Sequence, residues 1–376
     1  MHASQVGSPV LPAFGGPCLT GVVPGLLGHL YGDEPLADWM PAPVTGAAQI
    51  VLLVLDGLGW EQLGARPDLA PTLTAGLGRS ITSVGPSTTA CALTSLVTGR
   101  PPAEHGVVGY RVAYDNEILN VLQWTVGGRD ARVRVPAREF QPCPLFPGAP
   151  GPVPVVTRSD YGATGFSAAH LGDAELHSWH TPAGLLTNVR ALTGAGAPFV
   201  YAYYEGIDKV AHARGLGAHY DDELRSADRL VGDLLGLLPP GAVLVVTADH
   251  GQVEVDGSIE VLGGDVMDGV WLLSGEGRFR WLHVRPGALE DVASATREAF
   301  GDVAWVRTKD EMVEEGWLGG VPSAAVSSRL GDVVLAPFTK AAFLAPAATG
   351  ALRLMGRHGS LTPAEMLIPL LSWPSA

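Results

Sequence analysis

Three stretches of the chain are unbroken hydrophobic runs, and each stops at an acidic residue. "AQIVLLVLDGLG" runs into Asp56, "PFVYAYYEGID" into Asp208, and "AVLVVTADHG" into Asp249 and His250. Continuous Val/Leu/Ile/Tyr segments closed by turn residues predict strands buried on both faces, as parallel sheets require. Elsewhere the period changes. "DDELRSADRLVGDLLGLL" (221–238) repeats its apolar positions at helical spacing and meets Pro239-Pro240-Gly241, which predicts an amphipathic helix with a hard stop. Strands alternating with helices predict an α/β fold with a doubly wound, mostly parallel sheet.

The remaining segments read differently. Residues 1–45 are rich in Pro and Gly and are expected to wrap the surface, with a short helix around Val23–Tyr31. Residues 106–160 carry many prolines and are expected to form a long loop region near the active face. After Gly251, "RFRWLHVRP" alternates like a strand, "ALEDVASATREAF" has helical spacing, and "DVAWVR" is strand-like again. This predicts a smaller α+β subdomain, 252–336, inserted into a catalytic domain made of 1–251 and 337–376. "GDVVLAPF" is expected to lead the chain back toward the core.

Composition narrows the functional classes. The 376 residues are 47% hydrophobic and 16% charged, as a packed globular protein requires. The net charge of −14, without Lys/Arg runs, excludes a nucleic-acid-binding surface. An anionic substrate would therefore need local positive charge to overcome the global field. Cys18, Cys91 and Cys143 form neither a metal-binding pair nor a disulfide framework, which points to a reducing compartment. "MHASQVGSPVLPAFGGPC" lacks the basic and apolar regions of a signal peptide, and no apolar run approaches the ~20 residues of a membrane span. The expected location is cytoplasmic, with no membrane partner.

In open α/β sheets, ligands bind beyond the carboxyl ends of the strands. Asp56, Asp208 and Asp249 would meet there and repel one another unless cations lay between them. Asp208 and His212 are four residues apart and share a face if the segment turns helical. Asp249 and His250 can splay around a metal at a strand tip, with Gly251 permitting a sharp turn. His358-Gly359 adds a further imidazole. Each of these alone has a plain structural reading as a capping aspartate or a surface histidine. Together they form a mixed Asp/His donor set suited to Zn²⁺, with Mn²⁺ as the alternative. Two such ions about 4 Å apart clamp an in-line displacement at phosphorus.

"PSTTACALTSLVTG" (86–99) supplies six hydroxyls. A nucleophile here must lie near Asp56, at a helix N-terminus where free N–H groups favour a phosphate. Ala90 to Val97 has helical composition, so Thr94, Ser95 and Thr98 fall inside or at the far end of the helix. Ser87, Thr88 and Thr89 remain.

Taken in order, "LDG", "PSTT…LVTG…EHG", Asp208-x-x-x-His212, "ADHG" and "HG" resemble the alkaline phosphatase superfamily. Within it they resemble most the type I phosphodiesterase/nucleotide pyrophosphatase family, over residues 56 to 359. The resemblance implies an alkaline phosphatase-like fold and two zinc ions. One would be held by Asp208, His212 and His358, the other by Asp56, Asp249, His250 and the nucleophilic hydroxyl. Family members place a threonine ten residues before the glycine of "LVTG", which selects Thr89. The implied activity is hydrolysis of a phosphodiester or pyrophosphate bond in a small phosphorylated substrate such as a nucleotide, through a phospho-threonine. A phosphomonoesterase or phosphonate hydrolase of the same superfamily is the alternative, and a zinc-binding scaffold without turnover a third reading. The pattern departs at one point. Nucleotide pyrophosphatases place an asparagine after "HG" that holds a phosphate oxygen, and here Tyr110 stands in that place, followed by Arg111. Both are candidate substrate contacts. His105 is expected to be structural and Cys91 a core residue. Trp124, Tyr161 and Trp179 are candidates to stack on a base.

Overall fold

The computed structural model describes residues 7–32, 35–255, 257, 259–345 and 354–373. Its frame is a seven-stranded sheet made of β1 (Gln49–Leu55), β2 (Leu77–Thr82), β3 (Pro154–Arg158), β4 (Glu175–Trp179), β5 (Phe199–Tyr204), β6 (Ala242–Thr247) and β7 (Leu367–Ser372), in the order β2-β7-β6-β1-β5-β3-β4. The three hydrophobic runs are its adjacent central strands. β1 pairs in parallel with β6 on one side and β5 on the other, Val51 lying opposite Leu244 and Val200. Ile50 to Leu55 are all fully buried, so consecutive side chains pointing to opposite faces both find cover. β7 runs antiparallel to β6 and β2, which makes the sheet mostly rather than wholly parallel.

Parallel alignment matters because it brings the carboxyl ends of β6, β1 and β5 to one edge. Of the helices α1 (Val22–Tyr31), α2 (Thr89–Thr98), α3 (Gly206–Arg214) and α4 (Ala218–Leu237), α2 and α3 bring Thr89 and Asp208 to that edge. The expected amphipathic helix is α4, with Leu224, Leu230, Val231 and Leu234 turned inward. The N-terminal segment does not merely wrap the surface. Cys18, Leu19, Val22, Val23, Leu26 and Leu27 are fully buried in the main core, because the apolar spacing along α1 forms a stripe that must be covered. Residues 1–6 of that segment lie outside the described residues.

The proline-rich region also has more order than expected. Residues 111–130 build a small four-stranded antiparallel sheet rather than a long loop. Its turn between Tyr114 and Glu117 is made by Asp115 and Asn116, both at positive φ, as a tight hairpin requires.

After Gly251 the sequence-predicted elements appear as a hairpin (Val270–Glu276 and Phe279–Val284), a helix (Leu289–Phe300) and a strand (Ala304–Thr308). Val333–Pro337 returns toward the core with one face only: Val334 and Ala336 belong to the main core, while Val333 and Leu335 face a smaller cluster. It is the third strand of this second sheet, paired with both Phe279–Val284 and Ala304–Thr308. A separate hydrophobic cluster including Leu282, Val292, Val306, Val333, Leu335 and Phe343 fills the unit. We propose that the inserted subdomain expected at 252–336 is this unit, and Phe343 carries its packing past that end. Phe279, Trp281 and Trp317 stack edge to face where it meets the main core.

Candidate metal centre and its cavities

The carboxyl edge of the sheet collects the expected side chains from four places. Asp56 follows β1, and Asp249-His250 lie just beyond β6. Beyond β5 the chain turns into α3, which carries Asp208 in its first turn and His212 one turn later. His358 follows a short strand, Gly356–Arg357, held against Val253–Glu254. The ends of β1 and β5 are linked directly, since the Asp208 N–H donates to the Asp56 carbonyl at 3.1 Å.

These side chains face one another. His250 Nε2 lies 3.4 Å from Asp56 Oδ1 and 3.3 Å from Asp249 Oδ2. His212 Nε2 is 3.3 Å, and His358 Nε2 3.7 Å, from Asp208 Oδ1. Two groups, Asp56/Asp249/His250 and Asp208/His250/His358, have their ligand atoms within 4.8 Å of one another. His250 stacks on His358 at 3.5 Å and so belongs to both, while the His212 ring sits 5.1 Å from His358. All six expected ligands are thus brought together.

The surroundings orient the imidazoles for this work. Each histidine has its Nδ1 against a backbone carbonyl: His250 on Gly251 at 3.0 Å, His212 on Gly356 at 2.7 Å, and His358 on Ser87 at 2.9 Å. A proton held there leaves the Nε2 lone pair free to point inward, the arrangement metal-binding histidines use. Two of the carboxylate oxygens lack such partners. Asp56 Oδ1 and Asp249 Oδ2 are buried and accept no hydrogen bond among the described residues. Burial raises the pKa of both, the neighbouring carboxylates add to it, and for Asp249 the His250 charge works the other way. Burial and the other two imidazoles hold His358 well below its usual range. Unpaired buried carboxylate oxygens facing three aligned imidazole nitrogens fit a divalent cation pair, which would satisfy every one of them.

Second contacts hold the carboxylates still. The Tyr203 hydroxyl donates to Asp56 Oδ2, Gln252 Nε2 to Asp208 Oδ1 at 2.5 Å, and the Gly57 N–H to Asp249 Oδ1 at 3.1 Å. Gly57 has φ +77°, and a Cβ there would lie 3.0 Å from that of Asp208. Gly251 serves a different purpose from the expected turn. It is absent from the positive-φ glycines, but a Cβ would fall 2.1 Å from the Ala364 carbonyl oxygen and 2.9 Å from Gly59. Its role is close approach. Ala364's neighbour Glu365 anchors the same region: its carboxylate receives Arg278 Nε at 3.0 Å, the Ser360 N–H at 3.0 Å and the Thr362 hydroxyl at 2.6 Å.

Among the hydroxyls, Thr89 is the one within hydrogen-bond distance of a cluster imidazole, while Thr88 Oγ1 is buried without a partner among the described residues. Thr89 is the first residue of α2, with Thr88 as N-cap, and its Oγ1 lies 3.1 Å from His250 Nε2. Ser87 donates to the Ser360 carbonyl, and Thr94 and Thr98 donate back to carbonyls of their own helix. Ser95 meets His105 Nε2 at 2.8 Å, while His105 Nδ1 accepts the Val107 N–H at 3.1 Å. His105 is therefore a buried structural imidazole, as expected, and burial pushes its pKa down to about 3. Cys91 is fully buried in the core, also as expected.

Two cavities open on Thr89 and Asp208. One, of about 180 Å³, is walled by Leu93, Phe166, Tyr161 and Tyr203, with Glu205 and Lys209 at its polar end. Of the three aromatics offered for stacking, Tyr161 alone lines it. Trp124 is buried with its indole donating to the Val135 carbonyl, and Trp179 is packed against Tyr204. The other cavity, of about 320 Å³, includes Tyr110, Arg111, Glu276, Arg280 and Arg357. Tyr110's hydroxyl accepts from Asn120 Nδ2 at 2.9 Å. Glu205, Lys209, Arg280 and Arg357 escaped the sequence reading, since nothing in their local pattern distinguishes them from ordinary strand and helix residues.

Comparison with known proteins gives a family and a shared fold. The family model "Type I phosphodiesterase / nucleotide pyrophosphatase" matches residues 50–361. No curated protein matches the chain in sequence. Murine ectonucleotide pyrophosphatase / phosphodiesterase 5 superposes with a TM-score of 0.65 at 17% identity, over 86% of this chain and 87% of that one. An inactive form of the murine protein holds AMP. Phosphonoacetate hydrolase from Sinorhizobium meliloti 1021, bound to phosphonoformate, superposes with a TM-score of 0.64 at 22% identity, over 87% of this chain and 90% of that one.

Proposed function

The chain belongs to the type I phosphodiesterase / nucleotide pyrophosphatase family of phosphoric ester hydrolases, and from that premise we propose that it hydrolyses phosphodiester or pyrophosphate bonds with Thr89 as nucleophile. One observation carries the proposal: Thr89 Oγ1 stands at the start of a helix and 3.1 Å from His250 Nε2, within the Asp/His cluster. Asp56, Asp249 and His250 would hold one divalent cation and Asp208, His212 and His358 a second, with zinc the ion their donor set favours. When bound, such ions supply positive charge that acidifies a hydroxyl and offsets the charge of a phosphoryl group.

The chain's own residues do the rest. The N-terminus of α2 presents backbone N–H groups to the phosphoryl oxygens at the point where Thr89 projects. Thr89 Oγ1 forms the new bond to phosphorus as the ester oxygen leaves, and water then cleaves the phospho-threonine. Tyr110 lines the same cavity as Thr89, and its hydroxyl would donate to a phosphoryl oxygen. The cavity walled by Tyr161 and Phe166 is suited to an aromatic group such as a nucleotide base. AMP bound to the murine structural relative is consistent with that reading.

A phosphonate is the second reading. It is favoured by the likeness to the Sinorhizobium enzyme and by the tyrosine standing where an asparagine was expected. A panel of nitrophenyl phosphate mono- and diesters, nucleotides and phosphonates, assayed with zinc, separates the two. Thr89→Ala is expected to abolish turnover while elemental analysis still finds two metals per chain. Retained turnover would remove Thr89 from the nucleophile's role.

A further inference from the structure

The 320 Å³ cavity has a charge that the chain as a whole does not. The protein carries 38 acidic residues against 24 basic ones, yet this wall presents Arg111, Arg278, Arg280 and Arg357. Its carboxylates are Asp208, which faces the metal cluster, and Glu276.

Arg278 is accounted for. It is fully buried in a fork with Glu365, at 3.0 and 2.7 Å, and its remaining N–H groups reach the carbonyls of Thr339, Ala341 and Pro337. Arg280 and Arg111 are not paired with a carboxylate in this way. Arg280 is only 5% exposed, and its terminal nitrogens donate to the carbonyls of Ser274, Gly275 and Phe343 at 3.3, 3.2 and 2.8 Å. Its Nε has no partner among the described residues. Carbonyls fix the guanidinium's orientation but do not neutralise its charge. Burial, reinforced by repulsion from Arg111 and Arg357, lowers the Arg280 pKa to about 10, so the group stays a cation at neutral pH. Arg111 is exposed at the start of the small four-stranded sheet, next to Tyr110, and makes no ion pair among the described residues. Arg357 immediately precedes His358. Three cations thus gather at one wall of a cavity that also contains Thr89, with a single glutamate among them. Gathering like charges is unfavourable unless an anion completes the site.

We propose that Arg111, Arg280 and Arg357 form a subsite for a second oxyanion group, a carboxylate or a phosphate, carried by the substrate beyond its reacting phosphorus. This rests on the reading of Thr89 and the Asp/His cluster as the reacting centre. The substrate is then a small molecule with two anionic ends, one at the metal centre and one on the arginines. Guanidinium groups match both oxyanions through paired N–H donors. Their placement also solves the problem posed by the net charge of −14, because the attraction is local and lies inside the cavity.

Calorimetry on zinc-loaded Thr89→Ala protein tests the subsite without turnover. The probes are propylphosphonate, 3-phosphonopropionate and propane-1,3-bisphosphonate, which share one phosphonate and differ only in the tail. At least one charged tail is expected to bind about tenfold or more tighter than the uncharged one. Which tail gains tells carboxylate from phosphate. Placing Arg111→Glu in the same protein is expected to erase most of that gain, and Arg111→Lys to restore part of it. Arg111 is exposed, so folding does not depend on it. Equal affinity for all three probes, or an unchanged gain in Arg111→Glu, would overturn the proposal. The functional reading fails separately: if the unmodified protein cleaves no phosphorus ester but the tail preference persists, the subsite stands and the reaction assignment falls.

Discussion

The metal-centre edge and the arginine wall share Thr89 and Asp208, yet they are encoded in opposite ways. Asp56, Asp249 and His250 follow hydrophobic runs, and Asp208 and His212 lie on the helix after one, so the backbone that positions them is written beside them in the sequence. The arginines project from ordinary positions: Arg280 from the middle of "RFRWLHVRP", Arg357 from the end of "LMGR", and Arg111 from the first residue of a short strand. Chemistry that needs a strand tip leaves a local pattern. Recognition built from side chains on three distant segments leaves none.

The contrast is tested first at its strong end. His212→Ala is expected to reduce metal content from two ions to one and to lower kcat/KM by roughly a thousandfold or more, since a site built as a unit fails as a unit. Unchanged stoichiometry by elemental analysis would take His212 out of the ligand set and blur the contrast. The arginine wall depends instead on how the inserted hairpin is seated. Arg278→Met leaves the buried Glu365 carboxylate without its cation and is expected to cost about 3–5 kcal/mol of stability. The double change Arg278→Met with Glu365→Leu should cost less, because no uncompensated charge remains. Urea unfolding of both variants measures this. If the single change is harmless, the hairpin is seated by its aromatic contacts alone.

The smallest effect comes from the histidine that serves neither region. His105 is neutral in the fold, with its pKa pushed down to about 3, and would take up a proton near pH 6.5 once unfolded. The unfolded state then binds more protons between those values, so stability is full above pH 6.5 and falls as the pH drops. At pH 5 the loss from this group is about 2 kcal/mol. Urea midpoints at pH 7 and pH 5 should show it, and His105→Asn should flatten the difference. An equal fall in the variant would assign the acid sensitivity to other groups, such as the buried His170, whose pKa is lowered to about 4.

How far the sequence could be read follows the same division. The central strands, α4 and the hairpin–helix–strand order of the insertion were legible because hydrophobic periodicity is a local property. The helix of the N-terminal segment was legible but its burial was not, since proline and glycine content masked the apolar stripe of α1. Val333–Pro337 was expected to lead toward the core, and Val334 and Ala336 do so, but an apolar run does not say which sheet it joins. Gly251 was recognised as necessary for a reason the structure replaces: the contact that forbids a side chain comes from Ala364, more than a hundred residues away.

The sequence by itself determined the α/β alternation, the three carboxylates at strand ends and a short list of hydroxyls from which resemblance chose Thr89. Those follow from spacing along one chain segment, which backbone geometry converts directly into position. Tertiary structure alone decided that His250 Nε2 meets Thr89, that three histidines turn the same nitrogen inward, and that three arginines share a wall. Each of those depends on contacts between segments far apart in the chain, and such contacts exist only once the sheet has aligned its strand ends and the inserted hairpin has packed against them.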